Sequence, residues 1–379
     1  MSNNMTNKIF TAVSLSFFMS CSTTVFEQNI EVNSTASGLF EKVDSVVINK
    51  MNQYDIPGLS IGLVRNDSII YTKGYGIRNI EHNDLVSENT IFHTASISKL
   101  FTALAIMKLQ ESNALAIDDR LIEVVPELNY SDERIADITI KSLLNHTSGL
   151  PDISNYHWDN NNQSDNSLKE FVLGLNLKLE SDPSSQYQYS NLGYDILGYV
   201  IEKASNMNFD EYLKEIILNQ NEMYASDFRY FNIPDSLRTS PHSKTRITKQ
   251  IYVRETYPYT REHAPSSTLN SSAKELSKWM VSFLDLLDGE QTNTNYEIMI
   301  QPSFDSNKHM GLGFQLGEIE GFKKIGHYGG DRGFRSYLMM IPKEKIGLIV
   351  LANCDYQEDY RQEILSPITK LLLTKTKLN

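Results

Sequence analysis

Strand patterns lie at both ends of this chain and helix patterns lie between them, an arrangement that constrains the fold more than any other feature. Near the start, Leu59-Ser-Ile-Gly-Leu-Val64, the turn Asn66-Asp67 and Ser68-Ile-Ile-Tyr71 read as a hairpin. Near the end, 311–316, 322–328, 335–341 and 346–352 alternate or run apolar at strand length, with turn residues such as Pro342-Lys-Glu-Lys345 between them. Apolar spacing predicts helices near 139–145, 166–177, 191–204, 208–218, 271–287, 293–300 and 358–374. One antiparallel sheet built from both termini, flanked by terminal helices and interrupted by a mainly helical insertion over about 97–300, satisfies this pattern. The fold class is therefore α/β of the α+β type, and a site fed by both regions belongs at their junction.

The 379 residues suffice for a large core, and the net charge of -12 without a Lys/Arg run argues against a nucleic-acid partner. Residues 1–21 have the form of an export signal: Lys8, the apolar run 9–19, then Cys21. A cysteine there resembles the lipidated first residue of a bacterial lipoprotein, which implies a membrane anchor and a periplasmic or cell-surface location. Plain export is the alternative, because Phe18 and Met19 depart from that pattern. Residues 22–36, rich in Ser, Thr and Asn, suit a tether, leaving 37–375 as the folded domain, whose first helix has Leu39, Val43, Val46, Val47, Met51 and Tyr54 on one face. Cys354 is the one cysteine after Cys21, and its place at the end of an apolar run reads as structural. Residues 224–264 lack clean periodicity and carry Arg246, Arg254 and Arg261; they read as a surface excursion more readily than as a substrate-side wall.

Three short motifs carry chemistry, and each occurs twice. Ser96-Ile-Ser-Lys99 opens a helix that is apolar on nearly every side from Ile97 to Leu109, whereas Ser271-Ser-Ala-Lys274 opens an amphipathic one with charges at Lys274, Glu275 and Lys278. Serine and lysine three apart share a helix face. The pair reads equally as a helix cap with a snorkelling lysine or as a reactive hydroxyl with a proton-handling amine. Tyr189-Ser-Asn191 precedes a helix, whereas Tyr230-Phe-Asn232 lies in irregular sequence; Asn191 reads either as a helix cap or as a site residue. His327-Tyr-Gly-Gly330 ends a strand where a bound group can approach the main chain, whereas His309-Met-Gly311 precedes one.

With Leu143-Leu-Asn-His-Thr-Ser-Gly-Leu-Pro151 and Phe92-His-Thr-Ala-Ser-Ile-Ser-Lys99, these motifs resemble, in order, the serine β-lactamase and penicillin-binding-protein superfamily. The resemblance is to the branch related to class C β-lactamases and D-alanyl-D-alanine carboxypeptidases, over about 40–370. It implies a β-lactamase/transpeptidase-like fold and an acyl-enzyme mechanism without a cofactor or metal. Ser96 would be the nucleophile, Lys99 its proton-handling neighbour, and Tyr189 the base and later the acid, with Lys99 favouring its phenolate or a shared proton. Asn191 would orient Lys99 and a substrate amide, and the N–H groups of Ser96 and Gly330 would form the oxyanion hole, with His327 and Gly329 on the substrate strand. His146 reads as a structural residue beneath the site.

One departure bears on substrate. Family members that act on β-lactams carry Lys-Thr-Gly where this chain has His327-Tyr-Gly329, and a histidine is only partly charged near neutrality. Arg332 and Arg335 read as solvated rather than as replacements. The expected substrate is an ester or a small peptide amide, D-amino-acid peptides included. A class C-like β-lactamase or D-alanyl-D-alanine carboxypeptidase is the alternative, and a non-catalytic penicillin- or peptide-binding sensor the second.

Overall fold

A computed structural model describes residues 22–288, 294–356 and 359–376. The signal-like run and Cys21 lie outside the described residues. Helix α1 spans Ser22–Tyr54, so the backbone is helical across 22–36 where a tether was expected. Ser, Thr and Asn lower helix propensity without forbidding a helix, and Glu27, Gln28 and Glu31 favour it. The described residues up to Ser45 and those from Val46 onward form two compact units, and the site lies in the second. No described helix is long and apolar enough to cross a membrane.

In that unit β1 (Gly58–Arg65) and β2 (Ser68–Asn79) form the expected hairpin, with β3 (Asp84–Leu85) outside it. From the other end come β4 (Gln315–Ile319), β5 (Phe322–Asp331), β6 (Phe334–Ile341) and β7 (Ile346–Ala352). Among the described residues they make a seven-stranded antiparallel sheet in the order β3-β2-β1-β7-β6-β5-β4. β1 and β7 pair from Leu59↔Ala352 to Arg65↔Ile346, so the two chain ends meet at the centre. Every residue of β7 is buried, as a central strand covered on both faces requires.

Helices α2 (Ser98–Glu111), α3 (Asn191–Ser205), α4 (Ala273–Asp288) and α5 (Arg361–Thr376) do most of the covering. α4 packs across β1, β2 and β7, and it comes close because Gly62 has no side chain: a Cβ there would stand 2.2 Å from the Ser277 hydroxyl. α2 is buried from Ser98 to Met107, and its polar atoms are used internally; the Thr102 hydroxyl, for example, donates to the Pro265 carbonyl at 2.7 Å. Phe101, Trp279, Phe283 and Phe314 form a run of ring contacts with centroids 4.8 to 5.2 Å apart, joining α2, α4 and the approach to β4.

The chain between 97 and 300 is mainly helical, with two corrections to the expected pattern. The strand expected at 311–316 begins only at Gln315. Gly313 is left-handed at φ +85° and its N–H donates to Leu144 at 3.2 Å, so 311–314 turns across the helical layer instead of pairing. Residues 224–264 are a wall rather than a surface excursion. They carry a hairpin, His242–Lys244 with Ile251–Val253, and with Trp158 they line a cavity of about 470 Å3. Arg261 is buried there against Asp210 at 2.6 Å, which local periodicity gave no sign of.

Candidate active site

Ser96 sits in the tight turn Ala95–Ile97 that leads into α2. The turn is strained: Ala95 is left-handed at φ +50°, which costs a residue with a Cβ about 1–3 kcal/mol. Its surroundings hold it there. The Thr94 N–H and hydroxyl both donate to Leu269 at 2.8 Å, Ser336 donates to the Thr94 carbonyl at 2.6 Å, and Ser98 donates to that of Ala95 at 2.7 Å.

One turn into α2 the wholly buried Lys99 makes three hydrogen bonds. Its ammonium donates to Ser96 Oγ at 3.2 Å, Asn191 Oδ1 at 2.6 Å and the Ser266 carbonyl at 2.7 Å. Burial lowers the Lys99 pKa to about 8, against the opposing charges of Asp195, Asp152 and Asp331. The ammonium is thus held within hydrogen-bond reach of the Ser96 hydroxyl, with its pKa drawn toward neutrality. The competing reading, a snorkelling lysine, is excluded by its burial.

Tyr189 completes the cluster, with Lys99 Nζ 5.1 Å from its ring centre. Burial raises its pKa; a hydrogen bond with Ser96 pulls it down, and Asp152 and Asp331 push it up again. Burial is the largest of these effects, and it favours the protonated phenol. His146 lies against Tyr189 with ring centres 4.3 Å apart, and its Nδ1 accepts from the Ser190 N–H at 3.2 Å. The His-Thr-Ser-Gly stretch thus positions the Tyr189 turn.

Asn191 is not the helix cap, since Ser190 caps α3 by accepting from the Gly193 N–H at 3.0 Å. Its amide nitrogen donates to both oxygens of the Asp152 carboxylate, at 3.0 and 3.2 Å, which turns Oδ1 toward Lys99. Asp152 escaped the sequence reading, although it follows Leu150-Pro151 directly. A second omission is the buried pair His263–Asp195, with Nδ1 and Oδ2 2.7 Å apart. Asp195 lies one turn beyond Asn191, and His263 begins the turn carrying Ser266, so the pair ties together two of the three groups that hold Lys99.

The far wall is β5. Gly329 lets it approach, since a Cβ there would stand 2.2 Å from the Thr94 carbonyl. The Tyr328 N–H donates to Gln315 on the β4 side at 3.2 Å, and by strand alternation the Gly330 N–H faces the same way, beyond the end of β4. His93 and Asp331, 2.8 Å apart, fasten the chain before Ser96 to the residue after Gly330. His327 is almost wholly buried, and burial together with the Lys99 charge lowers its pKa to about 3. It is a neutral part of the floor beside Tyr189 and offers no cation. Tyr328 points to the other face, stacked on Tyr337 at 3.8 Å. Arg335 is spent on the Asp331, Phe334 and Asp355 carbonyls, and Arg332 lies over Trp158 at 5.1 Å.

The duplicate motifs assemble nothing comparable. Ser271 bonds Ser226 at 2.7 Å while Lys274 pairs with Glu88; Glu275, expected to be exposed, is buried against Ser226. Tyr230 stacks on Tyr257 at 4.7 Å. Cys354 is buried, and burial raises its thiol pKa to about 12, in keeping with a structural role.

A family model described as beta-lactamase matches residues 43–368, which takes in all of these residues. The chain belongs to the beta-lactamase family. Among beta-lactamase-family relatives, protein flp of Staphylococcus aureus is 27% identical over 329 residues, 83% of this chain and 63% of that protein, so this chain spans under two thirds of its length. A penicillin-binding protein of Bacillus subtilis is 26% identical over 321 residues, 80% of this chain and 70% of its own. Of solved structures, an octameric penicillin-binding protein homologue from Pyrococcus abyssi superposes with a TM-score of 0.76 at 26% identity, covering 88% of this chain and 77% of that one. A beta-lactamase/D-alanine carboxypeptidase from Pseudomonas syringae, at TM-score 0.72 and 19% identity over 89% and 99% of the two chains, shares the fold.

Proposed function

We propose that this beta-lactamase-family protein is a serine hydrolase that forms an acyl-enzyme on Ser96 and cleaves an ester or a small peptide amide, D-amino-acid peptides included. The observation that carries this is the buried ammonium of Lys99, 3.2 Å from Ser96 Oγ with a pKa of about 8. With Lys99 neutral, it takes the hydroxyl proton as Oγ attacks the substrate carbonyl carbon. The tetrahedral oxyanion is met by the N–H groups of Ser96 and Gly330. As the intermediate collapses, the proton passes through Tyr189 to the departing alcohol or amine. Water then attacks the acyl-enzyme by the same proton route, releasing the acid and restoring Ser96.

The neutral, buried His327 supports a preference for esters and small peptides over β-lactams, whose carboxylate favours a fixed cation. The export-like start and Cys21 support a lipid-anchored protein facing the periplasm or cell surface.

Intact-mass analysis after exposure to a fluorophosphonate, p-nitrophenyl esters, β-lactams and D-Ala-D-Ala peptides tests the reading. The expected result is a covalent adduct that is lost in Ser96→Ala, with ester turnover well above nitrocefin turnover. Folded wild-type protein without any adduct would leave a non-catalytic binding role, and nitrocefin turnover matching the best ester would reverse the substrate preference.

A further inference from the structure

Two adjoining cavities of about 500 and 400 Å3 run along the β4 edge of the sheet and share His309, Leu316, Lys324 and Ile325. The floor of the first is apolar, built from Ile300, Pro302, Leu316, Ile325 and Pro342. The second ends at Gly326 and Tyr328, which bracket His327, and at Tyr187. Tyr187 meets the ring of His146 edge-on at 5.9 Å, the same ring that supports Tyr189, so the trough ends against the turn that carries Tyr189.

Its charges do not balance. Lys324 is half-buried, donates to the Tyr337 hydroxyl at 3.0 Å and has its pKa lowered by burial. Among the described residues no carboxylate lies within ion-pair distance of Lys324, or of Lys323 and Lys343 on the rim. Lys308 is paired with Asp305 at 2.8 Å, and Glu318 is the acidic residue of the lining. Gly317 makes room for the lysine stem, since a Cβ there would stand 3.2 Å from Lys324 Cε. A half-buried ammonium without a counter-ion is costly and an anion removes that cost. In a chain of net charge -12, an uncompensated group of lysines beside an apolar floor matches a molecule with both features.

We propose that this trough holds an aliphatic chain ending in an anionic group, and that such an amphiphile is the substrate class processed at Ser96. This rests on the hydrolase reading above. The chain covers the apolar floor and its carboxylate or phosphate meets Lys324, with Lys323 and Lys343 alongside.

The test is displacement of a dansylated fatty acid from the full-length Ser96→Ala protein, together with hydrolysis of p-nitrophenyl esters of increasing acyl length by the wild type. Dodecyl phosphate and dodecanoate should displace the probe, with dodecyl maltoside much weaker and inorganic phosphate inactive. Lys324→Gln should weaken dodecyl phosphate about fivefold, the size of one partly screened ion pair, and Lys324→Arg should restore it. Dodecyl phosphate should also compete with ester hydrolysis by the wild type. No displacement, equal displacement by the maltoside, indifference to Lys324→Gln or absence of competition overturns the proposal. Hydrolysis of short esters without amphiphile binding removes the trough and keeps the hydrolase; Lys324-dependent binding without adduct or turnover removes the hydrolase and keeps an amphiphile site.

Discussion

Asp152 accepts hydrogen bonds from both amides of Asn191, the main-chain N–H at 2.7 Å and the side-chain NH2 at 3.0 Å. That double contact decides which end of the Asn191 amide faces Lys99: with the NH2 held by a carboxylate, Oδ1 is left to accept from the ammonium at 2.6 Å.

Replacing Asp152 with Ala frees the amide to rotate and to present its NH2 to the ammonium. Labelling of Ser96 by a fluorophosphonate should slow about tenfold, about 1.4 kcal/mol in the barrier. Because Asp152 is exposed, the melting temperature should hardly move. Stopped-flow or gel-based labelling rates check this, and an unchanged rate would show that Asn191 needs no such support.

Acylation should depend on pH through Lys99. Only the neutral amine accepts the serine proton, so the labelling rate should rise with pH through a midpoint near the Lys99 value of about 8. Asp195 is the largest of the charges that favour the ammonium, so Asp195→Asn should move the midpoint to lower pH and slow the maximum rate by loosening Ser266. A rate independent of pH across this range, or an unmoved midpoint in Asp195→Asn, would contradict the assignment.

Neighbouring glycines on β5 should behave differently. At Gly329 an added methyl meets the Thr94 carbonyl and Ser336 Oγ at 2.2 Å, both in fixed positions, so Gly329→Ala should lose about 1–3 kcal/mol of stability and most labelling. At Gly330 the nearest atom is the end of the Arg335 side chain at 3.1 Å, which can move, and Gly330→Ala should remain close to wild type in stability. Thermal melts of the two variants side by side make the comparison.

Stability should fall in mild acid on account of His327. Its folded pKa of about 3 lies below the ordinary histidine value of about 6.5, so the unfolded chain binds a proton that the folded protein refuses. The contribution is complete above that ordinary value and is lost progressively as pH falls toward the folded one. His146, pushed down by burial as well, adds to the slope. Urea midpoints across this range should decline with acid, and less steeply in His327→Gln.

Much of the protein was legible from local pattern. The central β1 and β7 strands and the unbroken apolar character of α2 follow from residue pattern, and the apolar helix after Ser96, against the amphipathic one after Ser271, separated the two Ser-x-x-Lys copies. Register and handedness of approach were not legible: 311–314 has strand composition but turns because Gly313 must reach Leu144. Likewise 224–264 reads as irregular because its order comes from packing against Trp158 and Asp210 rather than from its own periodicity.

Residue pattern set most of the helices and strands, brought the two chain ends into one sheet, and marked which serine, lysine, tyrosine and asparagine stand at the starts of buried helices. Tertiary structure alone decided their chemical state. Asp152 reaches Asn191 across 39 positions and His263 reaches Asp195 across 68, separations at which periodicity carries no information. The burial that makes Lys99 readier to release its proton also keeps Tyr189 and His327 neutral. Desolvation depends on everything packed around a group, so it exists only once the whole chain has folded.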